Sequence, residues 1–288
     1  MSRRRNPAPL PVRDGLGPAR VRLRGGAVLV ELADRFGEAA AAKVLAGEVR
    51  AADGSVVTPG TVLPPNSHVY LYRDLPEEVE VPFDIPILHR DNDIVVVDKP
   101  HFLATMPRGA HVAQTALVRL RRELGLDELS PAHRLDRLTA GVLLFTARRE
   151  VRGAYQTMFA RGAVRKRYLA VAHGIPRRPL PTVIRDRIVK RRGELQAVVE
   201  PGEPNAETLV ETVGTDTYLL TPRTGRTHQL RVHMASLGVP IAGDPLYPNI
   251  EDVAPGDFST PLRLVAQSLE FEDPLTGQVR RFVTERRP

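Results

Sequence analysis

Asp136 stands between Arg134 and Arg137 in the stretch His133-Arg134-Leu135-Asp136-Arg137-Leu138-Thr139-Ala140-Gly141, followed by the apolar run Val142-Leu143-Leu144-Phe145. A carboxylate set between guanidiniums just ahead of a buried strand suits a positioned, ionised group. With a reference pKa near ~3.9 it is charged at neutral pH and needs no activating base to act as a nucleophile. The bland reading of the same residues is a surface loop with an ordinary ion pair. Other catalytic patterns fail on spacing. His228 and His233 are five apart rather than the four of a helical zinc pair, and no HExxH occurs, so no metal site is expected. Thr221 to Thr227 lacks the first glycine and the lysine of a phosphate loop. GxSxG is absent, which argues against a serine hydrolase. Zero cysteines exclude disulfides, thiolate zinc sites and thiol catalysis, and fit a cytoplasmic protein.

A chain of 288 residues with 42% hydrophobic content can pack one large domain and a small module. No apolar run approaches the ~18 residues of a membrane span. The charged first residues have no apolar stretch behind them, so no secretory leader is expected. The formal charge is +7, the sign of a polyanion binder. Lys43, Lys99, Lys166 and Lys190 are the only lysines, and the other 37 of the 41 basic residues are arginine. The arginine fork suits phosphate and stacks on bases, although codon bias in a GC-rich genome gives the same composition.

Residues 1–20, with Arg3, Arg4, Arg5 and repeated Pro and Gly, read as a disordered basic tail. A small module is expected over 21–78. In it Val28-Leu29-Val30 leads into an Ala-rich helix from Phe36 to Ala46 stopped by Gly47, and short strands follow around the turns Asp53-Gly54 and Pro59-Gly60. This order, with Gly47-Glu48-Val49 before a DG turn, resembles the S4-type RNA-binding module. It departs from that module in lacking a basic helical face, Lys43 being its main basic residue. Leu75 to Pro82 reads as a linker. A larger domain is expected over 79–288: a strand Ile94–Val97, a helix Ala113–Leu124, the Val142 strand, and a helix capped by Thr146. Next come an alternating strand Val164–Ala172 with Lys166, Tyr168 and Ala170 on one face, and an irregular excursion over 176–205. A strand Tyr218–Thr221, a helix through Leu230, Met234 and Leu237, and two strands between Arg263 and Arg280 complete it. Strands and helices interleave without a regular βαβ period, which predicts a mixed α+β fold rather than a doubly wound one.

Four stretches and a fifth stand in one order: Asp98-Lys99-Pro100, His133-Arg134-Leu135-Asp136, Lys166-Arg167-Tyr168-Leu169-Ala170, Gly225-Arg226-Thr227-His228-Gln229-Leu230-Arg231-Val232-His233, and Gly243-Asp244-Pro245-Leu246-Tyr247. Together they resemble the RluA-type RNA pseudouridine synthases over roughly residues 82 to 274. The resemblance implies the pseudouridine synthase fold with a mixed, largely antiparallel central sheet. It also implies a cofactor-free isomerisation of a uridine already inside ribosomal or transfer RNA. Asp136 then takes the position of the catalytic aspartate, attacking C1′ or removing the C2′ proton. Tyr168 matches the active-site tyrosine that stacks on the uracil, and Arg231 the basic residue that pairs with the aspartate. Arg134 is the candidate wedge that fills the space left by a flipped uridine, with His133 either supporting it or packing the loop. Thr227, His228 and Gln229 shape the turn and pocket floor, and Leu264 is an apolar wall. Val265 stands where a histidine is frequent. A monomer acting on RNA, away from membranes, is expected.

Two other readings compete with this one. A ribosome-associated factor could keep the fold and lose the chemistry, but it would have no need for Asp136, Tyr168 and Arg231 together. A nucleosidase or glycosidase also works at C1′ but usually deploys two carboxylates, and one stands out here.

Overall fold

The computed structural model describes residues 8–75 and 77–288, and the chain divides into two compact units at Glu77/Glu78. The arginines at 3–5 of the expected tail and Pro76 of the expected linker lie outside the described residues.

In the first unit, β1 (Ala19–Arg22), β2 (Gly26–Ala27), α1 (Val28–Phe36), α2 (Glu38–Leu45), β3 (Arg50–Ala51), β4 (Val62–Leu63) and β5 (His68–Leu71) follow in order. Val28 to Val30 opens a helix instead of leading into one, because Val28 and Leu32 fall on one face and pack with Ala40, Val44 and Val69. Gly37 (φ 82°) breaks the run and α2 begins directly after it. The expected disorder up to residue 20 gives way before that point. Ala19 and Arg20 pair with Leu71 and Tyr70, and the Tyr72 hydroxyl donates to the Pro11 carbonyl at 2.8 Å.

The second unit contains β6 (Ile87–Arg90), β7 (Ile94–Lys99), α3 (Ala116–Leu124), β8 (Ser130–Pro131), β9 (Ala140–Thr146), α4 (Arg149–Ala160), β10 (Val164–Val171), β11 (Thr182–Val189) and β12 (Val198–Glu200). It continues with β13 (Ala206–Gly214), β14 (Thr217–Pro222), α5 (Gln229–Ser236), β15 (Leu264–Glu272) and β16 (Val279–Val283). The strands form one sheet in the order β12-β11-β13-β14-β10-β15-β9-β7-β6, with β16 beside β15 and β8 beside β9. The β9–β15 ladder is parallel, while β10 runs antiparallel to both β14 and β15. The architecture is the mixed, largely antiparallel α+β sheet that the sequence predicts.

Central strands are buried on both faces, so β7 and β9 read as unbroken apolar runs. Leu143 and Phe145 pack with Leu117 and Leu120 of α3 and with Leu230 and Met234 of α5, whereas Val142 and Leu144 pack with Val151, Tyr155 and Met158 of α4. Thr115 caps α3 by accepting from the Val118 amide, and Gly125 closes it in the left-handed conformation.

Two expectations are corrected here. Thr146 does not cap α4: it ends β9 with its hydroxyl on the Ser130 carbonyl, and the Glu128 carboxylate accepts from the first helical amide, Arg149, at 3.1 Å. The 176–205 stretch is no irregular excursion, since β11 and β12 extend the sheet. Only Ile184 and Ile188 of β11 are fully buried, so charges on its open face hide the strand pattern. The linker is docked at Glu78, whose carboxylate accepts from the Val112, Ala113 and Gln114 amides just ahead of α3.

The site end of this sheet depends on one close approach. Gly141 pairs in parallel with Ala266 and has φ 111°, and a Cβ there would be driven into the Ala266 backbone. Gly141→Ala is therefore expected to cost roughly 3 kcal/mol from left-handed strain plus steric displacement of β15. Urea denaturation measures it, and a loss under about 1 kcal/mol, as at an ordinary strand glycine, would contradict the argument.

Candidate active site

One register row assembles the site. Tyr168 of β10 lies opposite Ala266 of β15, which lies beside Gly141 at the start of β9. The loop carrying Asp136 runs directly into that glycine, so tyrosine and aspartate meet at one end of three adjacent strands. The β10–β15 register shifts between Arg167 and Tyr168. Val164 accordingly packs with the α4 side of the sheet, while Tyr168 and Ala170 pack with the other side. An irregularity of this kind re-aims side chains, and strict alternation from Val164 would have turned Tyr168 away from that side.

A cavity of 680 Å³ opens at this point, and every candidate residue borders it: His133, Arg134, Asp136, Tyr168, Thr227, His228, Gln229, Arg231 and Leu264. Lys166, Arg161, Arg223 and Arg226 add positive charge around its wall. That bias suits a polyanionic ligand.

The Asp136 loop is held through its backbone. The Leu135 amide donates to Thr105 Oγ1 at 3.1 Å and its carbonyl accepts from the same hydroxyl at 2.8 Å. Asp136 O accepts from the Thr139 amide at 3.1 Å, Arg137 O from Lys99 Nζ at 3.3 Å, and Leu138 O bonds His101 Nδ1 at 2.7 Å. Four consecutive carbonyls are thus satisfied, three of them by side chains of residues 99–105. The Asp136 carboxylate is half-buried at the cavity wall. Lys99 is wholly buried and also donates to Pro100 O and Leu103 O. Burial pushes its pKa down to about 7, with the Asp136 carboxylate the strongest influence in the other direction.

Arg231 departs from expectation. In place of a direct pair with Asp136, its guanidinium makes two bonds to Asp244, Nε to Oδ2 at 2.7 Å and Nη2 to Oδ1 at 2.5 Å. Among the described residues none forms an ion pair with Asp136 within 4.0 Å. The reason is burial: both Arg231 and Asp244 are shut from solvent, and such a charge needs its counter-ion within bonding distance. Burial works against the Arg231 charge, but Asp244 and then Asp136 outweigh it and raise its pKa. Arg231 therefore stays charged, and the two charges act on each other without an ion pair between them.

Burial, reinforced by the Asp136 charge, raises the Tyr168 phenol well above its ordinary value, so it is protonated at neutral pH. Its ring can stack and its hydroxyl can donate. Arg134 is exposed at the rim. His133 packs the loop: its ring stacks on Phe159 with centroids 4.3 Å apart, its Nε2 accepts the Leu144 amide at 3.2 Å, and burial lowers its pKa to about 3. Gln229 is a strut. Its Oε1 accepts from the Thr224 hydroxyl and the Arg226 amide, and its Nε2 donates to Glu207 O and Thr208 Oγ1, fixing the turn against β13. Leu264 is buried at the cavity wall. Sequence reading left Lys99, Asp244 and Tyr247 without roles, although a lysine in an apolar strand and the Gly-Asp-Pro turn were visible signals.

The family model described as RNA pseudouridylate synthase matches residues 93–236. This chain belongs to the RNA pseudouridylate synthase family. Its RluA type is supported by the dual-specificity RNA pseudouridine synthase RluA of Haemophilus influenzae, 30% identical over 218 residues that cover 69% of this chain and 91% of that protein. RNA pseudouridine synthase 7 of Arabidopsis thaliana is 31% identical over 212 residues, 68% of this chain, although the match spans only 53% of that protein's length. Among solved structures, human RNA pseudouridylate synthase domain containing 4 superposes with a TM-score of 0.55 at 26% identity, covering 70% of this chain and 88% of that one. The second unit thus has the pseudouridine synthase fold.

Lys99 offers a check on the Asp136 loop that is separate from activity. Its pKa is lower in the folded chain than the ordinary 10.5, so the unfolded chain holds the extra proton between about 7 and 10.5, and stability rises with pH there. The stability of the wild type relative to Lys99→Met should increase from pH 7 to pH 10 in urea titrations. A constant difference would mean the lysine titrates normally.

Proposed function

We propose that this chain isomerises specific uridines of ribosomal or transfer RNA to pseudouridine, with Asp136 as the catalytic carboxylate. One observation supports the reading above all: Asp136, Tyr168 and Arg231, far apart in the chain, border a single basic-walled cavity in a synthase fold. In this reading the Asp136 carboxylate attacks C1′ and the N1–C1′ bond breaks, leaving the uracil with the bonding pair. The uracil turns in place, C5 bonds to C1′ and displaces the carboxylate, the C5 proton is lost and N1 takes one up. The variant in which Asp136 removes the C2′ proton to give a glycal uses the same geometry.

The chain's parts then divide the work. Arg231, held by Asp244, keeps positive charge on the wall of the cavity that Asp136 borders. Tyr168 stacks on the base while it is detached, confining it to the cavity. Arg134, exposed at the rim, enters the helix in place of the extruded uridine, offsetting part of the few kcal/mol that unstacking costs. The basic wall holds neighbouring phosphates.

The decisive experiment maps pseudouridine in total RNA from cells with and without the protein, then repeats the reaction in vitro with nucleoside chromatography. Asp136→Asn should lower product formation by roughly 10⁴-fold or more while RNA affinity stays within about twofold of the wild type. Equal product from the variant would refute the assignment, and release of free uracil would favour a nucleosidase. Binding should also weaken linearly in log–log salt titrations, as expected when phosphates are neutralised and counterions released. An affinity indifferent to salt would count against RNA as substrate.

A further inference from the structure

His228 occupies the turn between β14 and α5 in the left-handed conformation, with φ 57° and ψ 16°, and borders the cavity. Its Nδ1 lies 2.9 Å from Tyr247 Oη. That oxygen already accepts the Ala197 amide at 2.6 Å and donates to the Ala197 carbonyl at 3.1 Å. A phenol has one proton. With that proton on the Ala197 carbonyl, the one in the His228–Tyr247 bond comes from Nδ1.

Burial lowers the His228 pKa, although the Asp136 charge pulls it upward, so the ring is neutral at neutral pH. A neutral imidazole protonated at Nδ1 carries a lone pair on Nε2 and can only accept there. No described residue hydrogen-bonds that nitrogen. Of the carboxylates acting on the ring, Asp136 has the largest influence. The imidazole and the Asp136 carboxylate border the same cavity, so a uridine whose C1′ is presented to Asp136 has its ribose in the space that His228 also lines.

A uridine in a strand presents two donors, N3–H of the base and the 2′-hydroxyl of the ribose. N3 is two bonds beyond the scissile nitrogen, whereas the hydroxyl is borne by C2′, next to the carbon that Asp136 addresses. We propose that His228 Nε2 accepts a hydrogen bond from the 2′-hydroxyl of the target uridine, selecting a ribonucleotide over a deoxyribonucleotide at that one position. Tyr247 is the positioning residue that sets the tautomer. The 2′-hydroxyl is the group by which a protein distinguishes RNA from DNA at a given site. This inference rests on the functional reading above, since it needs a uridine in the cavity.

The test uses full-length protein carrying Asp136→Asn, which prevents turnover. The probes are two synthetic stem-loops copied from a mapped pseudouridine site, one with uridine and one with 2′-deoxyuridine at the target. In the Asp136→Asn parent, loss of the hydroxyl should weaken binding roughly fivefold, the worth of one neutral hydrogen bond. Adding His228→Asn, which tolerates the left-handed backbone but does not reach the Nε2 position, should bring the two affinities within about twofold. Adding His228→Gln, whose side-chain oxygen extends to that position, should restore part of the discrimination. A purely structural role would weaken both probes equally and leave their ratio unchanged. An unchanged ratio in His228→Asn, or no discrimination in the parent, would overturn the inference. If the wild type forms no pseudouridine in any RNA, the functional reading fails instead.

Discussion

The Asp136 loop is held by its carbonyls. Leu135, Arg137 and Leu138 each present a main-chain oxygen to a side chain from residues 99–105, and Asp136 itself closes the turn onto Thr139. Buried carbonyls must find partners, and here those partners also fix where the carboxylate emerges. Lys99 is the costliest part of the arrangement. A buried ammonium is tolerated because three carbonyls surround it and a carboxylate stands nearby. The charge that burial disfavours becomes part of the field in which Asp136 works.

The same economy governs the other side of the cavity. Arg231 is satisfied by Asp244, which also accepts the Leu246 and Tyr247 amides, so the turn after α5 and the guanidinium hold each other in place. The Tyr247 ring lies under the same guanidinium, 5.1 Å from ring centroid to its carbon. Through its hydroxyl it reaches Ala197, between β11 and β12. With Arg231 neutralised internally, Asp136 has no ion-pair partner within 4.0 Å among the described residues, and its carboxylate remains available to a ligand. Direct pairing of the two would have engaged the reactive oxygens.

Sheet order explains why these pieces meet. Parallel pairing of β9 with β15, and antiparallel pairing of β15 with β10, place the start of β9, the start of β15 and the later half of β10 at one end. The register shift at Arg167/Tyr168 then turns the tyrosine to the face shared with α5. Gly141 permits the approach that brings β15 beside the loop.

By its types and spacing alone, the sequence determined the α+β class and the buried strands over Ile94–Val97 and Val142–Phe145, and the resemblance carried by its short motifs supplied the candidate residues that border the cavity. Those features are local, since apolar runs, turn residues and short motifs carry their own periodicity and chemistry. The partners were not legible. Asp244 lies thirteen residues from Arg231 and competes with Asp136 for it, and only burial decides in its favour. His133 reads as a possible RNA contact until Phe159 stacks on it. Strand β11 hides behind exposed arginines because one of its faces meets water. Which charges are neutralised, which strand end faces the cavity, and which histidine nitrogen is bare all depend on contacts between distant residues, and those exist only once the chain has folded.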